Sequence, residues 1–147
     1  MPTLYLVKDD FEQMNDIVRQ FDHAGNWVEE AIELMRIAGE EERANKIDDV
    51  WLRAYGRDPH ILETADVKEL FELLDGFEAR LVGNVVDEEW MIREDKLPEL
   101  RARTSLELDE SRGAEAIYGV AEAMSRVSAL RTILEQAIAD RFRIVVG

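Results

Sequence analysis

Glu29, Glu30 and Glu33 stand together in the run Glu29-Glu30-Ala31-Ile32-Glu33. On a helix, carboxylates at this spacing fall within about one turn of each other, and carboxylate oxygens are the ligands that hard divalent cations take. Asp48 and Asp49 follow one helix later. Helical geometry argues for a solvated face instead. At about 100° per residue, Trp27, Val28, Ala31, Ile32, Leu34, Met35 and Ala38 fan around one side, while Glu29 and Glu33 lie nearly opposite. Those two acids are expected to face water and to form ordinary surface pairs, such as Glu33 with Arg36.

The same five residues resemble the EExxE half of the motif with which MazG-like all-α nucleotide pyrophosphohydrolases hold Mg²⁺. The resemblance implies a Mg-dependent hydrolase with Glu29, Glu30, Glu33 and Asp49 as candidate metal ligands, Mg as the cofactor that bridges phosphate oxygens and activates water, and a second helix that supplies an ExxD half. Here Asn45 precedes Asp48 by three and Lys46 precedes Asp49 by three, so the second glutamate is missing.

The histidines offer less. Gln20 stands three before His23 and Arg57 three before His60, so the Glu-x-x-His pattern of di-iron bundles does not occur. There is no His-Glu-x-x-His, no Gly-x-Ser-x-Gly and no phosphate-binding glycine loop. Both histidines read as turn residues. His60, in the turn Arg57-Asp-Pro-His60, is kept as a candidate contact residue beside two tryptophans. Trp27 and Trp51 fall on the apolar faces of their helices, where packing is the expected role. A pocket for a small apolar ligand lined by Trp51 or Trp90 is the alternative. Trp90 follows Asp87-Glu88-Glu89 in an irregular stretch and is the best placed to be partly exposed.

The elements that must position these residues are mostly helical. Phe11, Met14, Ile17, Val18 and Phe21 recur at helical intervals and predict a first helix over residues 9–22, with Gly25 after its end. A second helix is expected from Asn26, as its cap, to Gly39; a third from about Glu40 to Tyr55; and a fourth from the cap Thr64 to Asp75-Gly76. Residues 77–112 carry apolar groups in short bursts and predict short helices and turns. From Gly113 to Asp140, Ile117, Val120, Met124, Val127, Leu130, Leu134 and Ile138 form one stripe, interrupted by Arg131. A helix of about 26 residues there would span about 39 Å. Packing of this stripe on the chain's own helices is preferred to a helix-mediated dimer, so monomer and homodimer both stay open. Leu4-Tyr-Leu-Val7 and Phe142-Arg-Ile-Val-Val146 are short and rich in β-branched or aromatic residues, which predicts strands. Those strands are expected to pair with each other or with a hairpin from 77–112, where Ser105-Leu-Glu-Leu108 is the candidate. The fold class is thus α+β, predominantly helical: one domain over 1–147 with about five to seven helices, a long C-terminal helix and a small sheet of terminal strands.

At 147 residues one hydrophobic core suffices, and 46% hydrophobic content places the chain among globular rather than disordered sequences. No cysteine is present, which excludes disulfides, thiolate metal sites and cysteine nucleophiles, and fits a reducing compartment. The opening apolar run is too short for a signal peptide and none reaches membrane-spanning length, so a cytoplasmic protein is expected. Its net charge of −15 repels phosphate backbones and anionic lipid, excluding nucleic acid and membrane as partners. Residues 1–75 hold 19 acids against 8 bases, so the acidity is concentrated in the first half.

Leu4-Tyr-Leu-Val before an acidic helix start, Lys46-Ile-Asp-Asp-Val-Trp51, Thr64-Ala-Asp-Val67, and a long last helix running into Arg143-Ile-Val-Val-Gly147 occur in an order similar to the YfbM-like family of small bacterial proteins. The opening Met-Pro-Thr differs from the Met-Gly-Met-Ile-Gly common in that family. The resemblance implies an α+β fold with terminal strands and predicts no catalytic residue. The leading expectation is a non-enzymatic binding module, of inhibitor, immunity or adaptor type, whose acidic half engages a basic protein surface. The alternatives are the Mg-dependent pyrophosphohydrolase and a small-ligand-binding domain.

Overall fold

The computed structural model describes residues 2–8, 17–87, 93–96, 98 and 113–147, with side chains from residue 122 onward in the last stretch. The fold is α+β and mostly helical. Four strands, β1 (Leu4–Val7), β2 (Ile17–Phe21), β3 (Ile61–Leu62) and β4 (Arg143–Val146), form one antiparallel sheet in the order β2-β1-β4-β3. The two ends of the chain pair with each other, Leu4 opposite Val146 and Val7 opposite Arg143. Thr3 and Gly147 extend the ladder, each amide donating to the other's carbonyl at 2.7 and 3.0 Å.

One expected element forms differently. Ile17–Phe21, read as the end of a helix over 9–22, is strand β2, with Leu4 opposite Phe21 and Leu6 opposite Arg19. Residues 9–16 lie outside the described residues. Val18 is an extra residue in the ladder between the Leu6–Arg19 and Val7–Ile17 pairs. The backbone groups on the outer side of β1 need partners, and a β-branched Ile-Val beside an aromatic supplies them by returning antiparallel. That non-local pairing overrides a local helical periodicity. The proposed strand Ser105–Leu108 also lies outside the described residues.

Helix α1 (Gly25–Ile37) begins one residue before the expected cap, with Asn26 already inside it. Gly25 is needed there because Pro2 lies against it: the Gly25 amide donates to the Pro2 carbonyl at 3.1 Å, and an added Cβ would sit 2.5 Å from the proline ring. Gly39, at φ +85°, makes the turn into α2 (Glu41–Tyr55). Helix α3 (Thr64–Leu73) is capped by Glu63 rather than Thr64. A short α4 (Phe77–Leu81) and a 3₁₀ turn at Glu94–Lys96 follow, and α5 (Gly113–Asp140) is the long helix.

The helices cover one face of the sheet. Leu4, Leu6, Leu62, Ile144 and Val146 point into the main core with α1, α2, α3 and α5, while Val7, Ile61 and Val145 form a smaller cluster on the other face. The alternation along each strand produces this division. Helix α5 packs on α1 and α3 and buries Met124, Val127, Leu130 and Leu134, together with Ile133 and Ala137; Ile138, expected in the same stripe, is exposed. Arg131, which interrupts the stripe, places its guanidinium 4.8 Å from the centre of the Phe71 ring and its Nη2 3.3 Å from Asp75.

Candidate functional site

Arg53, in the last turn of α2, and Arg57, two residues beyond its end, reach the same side chain, Asp66 in the first turn of α3. Asp66 is only 5% exposed. Its Oδ1 accepts from Arg53 at 3.3 Å, and its Oδ2 accepts from Arg57 and from the Glu63 amide at 2.9 Å. The last bond is the return arm of a capping box, in which the side chain three residues into the helix satisfies the cap's own amide. Burial pushes the Asp66 carboxyl up; the hydrogen bonds from Arg57, the Glu63 amide and Arg53 outweigh it and hold the group below its ordinary value. Arg53 also holds Glu69 at 2.7 Å, and the Glu69 and Asp66 bonds raise its own pKa. Both oxygens of Asp66 are thus engaged in joining the end of α2 to the start of α3.

This junction fixes the connection on which His60 sits. Arg57 donates to the Ile61 carbonyl at 2.8 Å, the His60 Nδ1 lies 3.0 Å from the Arg57 carbonyl, and the His60 carbonyl accepts from the Val146 amide at 2.8 Å. His60 is thereby held against α2, its ring tilted at 5.0 Å from that of Tyr55. Tyr55 in turn meets Trp51 edge-to-face at 5.7 Å. Such an aromatic pair contributes about 1 kcal/mol beyond its burial.

Of the candidate contact residues, His60 is exposed, Trp51 is 3% exposed and belongs to the core, and Trp90 lies outside the described residues. Trp51 is in ring contact with Tyr55, which is exposed. The groups presented to solvent are Tyr55, 40% exposed, and Leu52, 55% exposed, one turn apart on α2. Asp48 and Asp49 precede Leu52 by four and three residues and share its side of the helix. Glu29 of α1 acts on Tyr55: burial raises the phenol's pKa and the Glu29 carboxylate raises it further. The result is an apolar and aromatic patch of Leu52, Tyr55 and His60 bordered by Glu29, Asp48 and Asp49.

The carboxylates of the EExxE run diverge. Glu29 is exposed and faces the α2 side, whereas Glu30 turns to α5, where the Arg126 Nε lies 2.8 Å from its Oε2. Glu33 is half-buried rather than fully solvated. Arg36 reaches across to α2, to Glu41 at 3.4 Å, Asn45 at 3.2 Å and Asp48 at 4.0 Å. Among the described residues no group of three or more histidine or carboxylate side chains gathers into a cluster that could hold a metal ion. Glu29, Glu30, Glu33 and Asp49, the candidate Mg ligands, are all among those residues.

Neither type nor motif singles out Leu52 and Tyr55, although the helical wheel of α2 places Leu52 on the polar side, between Asn45 and Asp48. The junction at Asp66 also had a signal, in the i, i+4 pair Arg53 and Arg57 followed by Glu63-x-x-Asp66. Among the described residues, no helix is long and apolar enough to cross a membrane. Comparison with known proteins finds no matching family model, no matching curated sequence and no matching solved structure.

Proposed function

We propose that this chain is a cytoplasmic, non-enzymatic protein-binding module that docks a basic partner on the α1–α2 face. The observation that carries this reading is the exposure of Leu52 and Tyr55 on one turn of α2, with Glu29, Asp48 and Asp49 around them. Affinity at protein interfaces comes from a few well-placed aromatic and aliphatic anchors, and the surrounding charge steers the partner and fixes register. The Asp66 junction supports the reading because it makes the patch rigid, so little conformational freedom is lost on binding. A partner segment with one apolar stripe flanked by lysine or arginine has the matching chemistry. An inhibitor, immunity factor or adaptor would use such a face without turnover.

The hydrolase alternative has less support, since Glu30 turns away from Glu29 and Asp49 to pair with Arg126 on α5. The test is affinity capture from the native host with the wild-type chain and with a Leu52→Asp, Tyr55→Ala double variant, at low and at moderate salt. The reading expects a basic protein that is retained by the wild type, lost from the variant and weakened as salt screens the rim charges. Recovery of no basic protein, or of the same proteins by both chains, would contradict it.

A further inference from the structure

A second feature lies on the other side of α1. Arg19 and Phe21 stand opposite Leu6 and Leu4, so their side chains share the helix-facing side of the sheet. There the Arg19 guanidinium lies 5.0 Å over the Phe21 ring, and its Nη1 donates to Gln136 Oε1 of α5 at 3.1 Å. With Trp27, Ala129 and Ile133 these residues line a cleft of about 290 Å³ between β2, the start of α1 and α5. Phe21 and Trp27 are partly buried, with ring surface against the core, and the cleft's wall is largely aromatic and aliphatic.

The partner of Arg19 differs from that of most of the described arginines. Arg36, Arg53, Arg57, Arg80, Arg126 and Arg131 each hold a carboxylate. Among the described residues Arg19 has a neutral amide and an aromatic face as its partners, and Arg43 a backbone carbonyl, in a protein with 33 acids to 18 bases. Gln136 and Phe21 fix the guanidinium while leaving its Nε and Nη2 donors, the edge that grips a carboxylate with two parallel bonds. An apolar cleft of this size with one oriented cation is the arrangement expected of a small-molecule site.

We propose that this cleft binds a small amphipathic carboxylate, an aryl-acetate or medium-chain alkanoate, with its acid group on Arg19 and its apolar body against Trp27, Phe21 and Ile133. This site is separate from the α1–α2 face and does not depend on the function proposed for it. An inward-pointing charge on an edge strand also discourages edge-to-edge pairing, and that role alone predicts no ligand.

Titration of the full chain with phenylacetate, octanoate and the neutral analogue 2-phenylethanol, followed through the Trp27 indole N–H resonance, separates the two. The expected result is a saturable shift with both acids, in the high-micromolar to millimolar range, and binding of the alcohol weaker by about tenfold. Arg19→Gln should remove the preference for the acid, Arg19→Lys should retain part of it, and Ala129→Trp should block the cleft to acid and alcohol alike. No saturable shift at Trp27, equal binding of acid and alcohol, or undiminished acid binding by a folded Arg19→Gln chain would overturn the proposal.

Discussion

Glu30 on α1 and Arg126 on α5 meet at 2.8 Å across the helical layer, and both are largely covered by their surroundings. This pair withdraws the central carboxylate of the Glu29-Glu30-x-x-Glu33 run from any site between α1 and α2. A partly buried pair of good geometry lies near the upper end of the range for solvent-accessible ion pairs, about 1 kcal/mol. A double-mutant cycle with Glu30→Gln and Arg126→Met, read by urea denaturation, is expected to give a coupling energy of about that size. A coupling indistinguishable from zero would mean that the two helices are held by their apolar contacts alone.

Removing the charge of Asp66 leaves one neutral acceptor where two charged oxygens took bonds from Arg53, Arg57 and the Glu63 amide, although Arg53 keeps Glu69 and Arg57 keeps the Ile61 carbonyl. Because both arginines keep access to water, the loss is smaller than for a fully enclosed ion pair: Asp66→Asn is expected to destabilise the fold by about 2–3 kcal/mol in chemical denaturation. The pH dependence has a definite sign. The folded-state pKa of Asp66 lies below its ordinary value, so its contribution is complete above the usual carboxylate range and is lost as pH falls through the lowered folded value. The wild type should therefore lose stability more steeply than Asp66→Asn on acidification below that range. Parallel acid-unfolding profiles would contradict the assignment.

Tyr55 reports the electrostatics of the α1–α2 face. Burial and Glu29 both disfavour its phenolate. In Glu29→Gln the Tyr55 titration midpoint, followed by NMR of the ring, is expected to move part of the way down toward the ordinary tyrosine value, leaving the component due to burial. An unchanged midpoint would separate Glu29 from the patch.

Gly25 is the point where the N-terminal segment crosses the start of α1. An alanine Cβ there would fall 2.5 Å from the Pro2 ring, so one of the two must shift. Gly25→Ala is expected to destabilise by about 1–2 kcal/mol, within the usual range for overpacking. Pairing it with Pro2→Gly, which removes the ring, should recover most of that loss in thermal unfolding.

Much of the fold is legible in the residues because α2, α3 and α5 carry apolar groups at a period that only a helix satisfies, and because the β-branched ends suit strands. Ile17–Phe21 was misread for a reason of the same kind: Ile17, Val18 and Phe21 fit a helical stripe locally, but pairing with β1 depends on residues distant in sequence. The site was less legible. Trp51 lies in the core, in keeping with its place on the apolar face of α2, whereas Leu52 and Tyr55, ordinary by type, are exposed. His60 could be noticed as a turn residue, but its stacking on Tyr55 follows from the Arg57–Asp66 junction, which tertiary packing creates.

The central claim is that Leu52 and Tyr55 anchor a basic protein. Photo-crosslinking from position 52, with the exposed position 72 on α3 as control, tests it most directly in the native host. The account predicts a discrete adduct from position 52 with a protein of net positive charge, absent from position 72 and lost when Tyr55→Ala is added. No adduct at 52, or equal adducts from both positions, would contradict it.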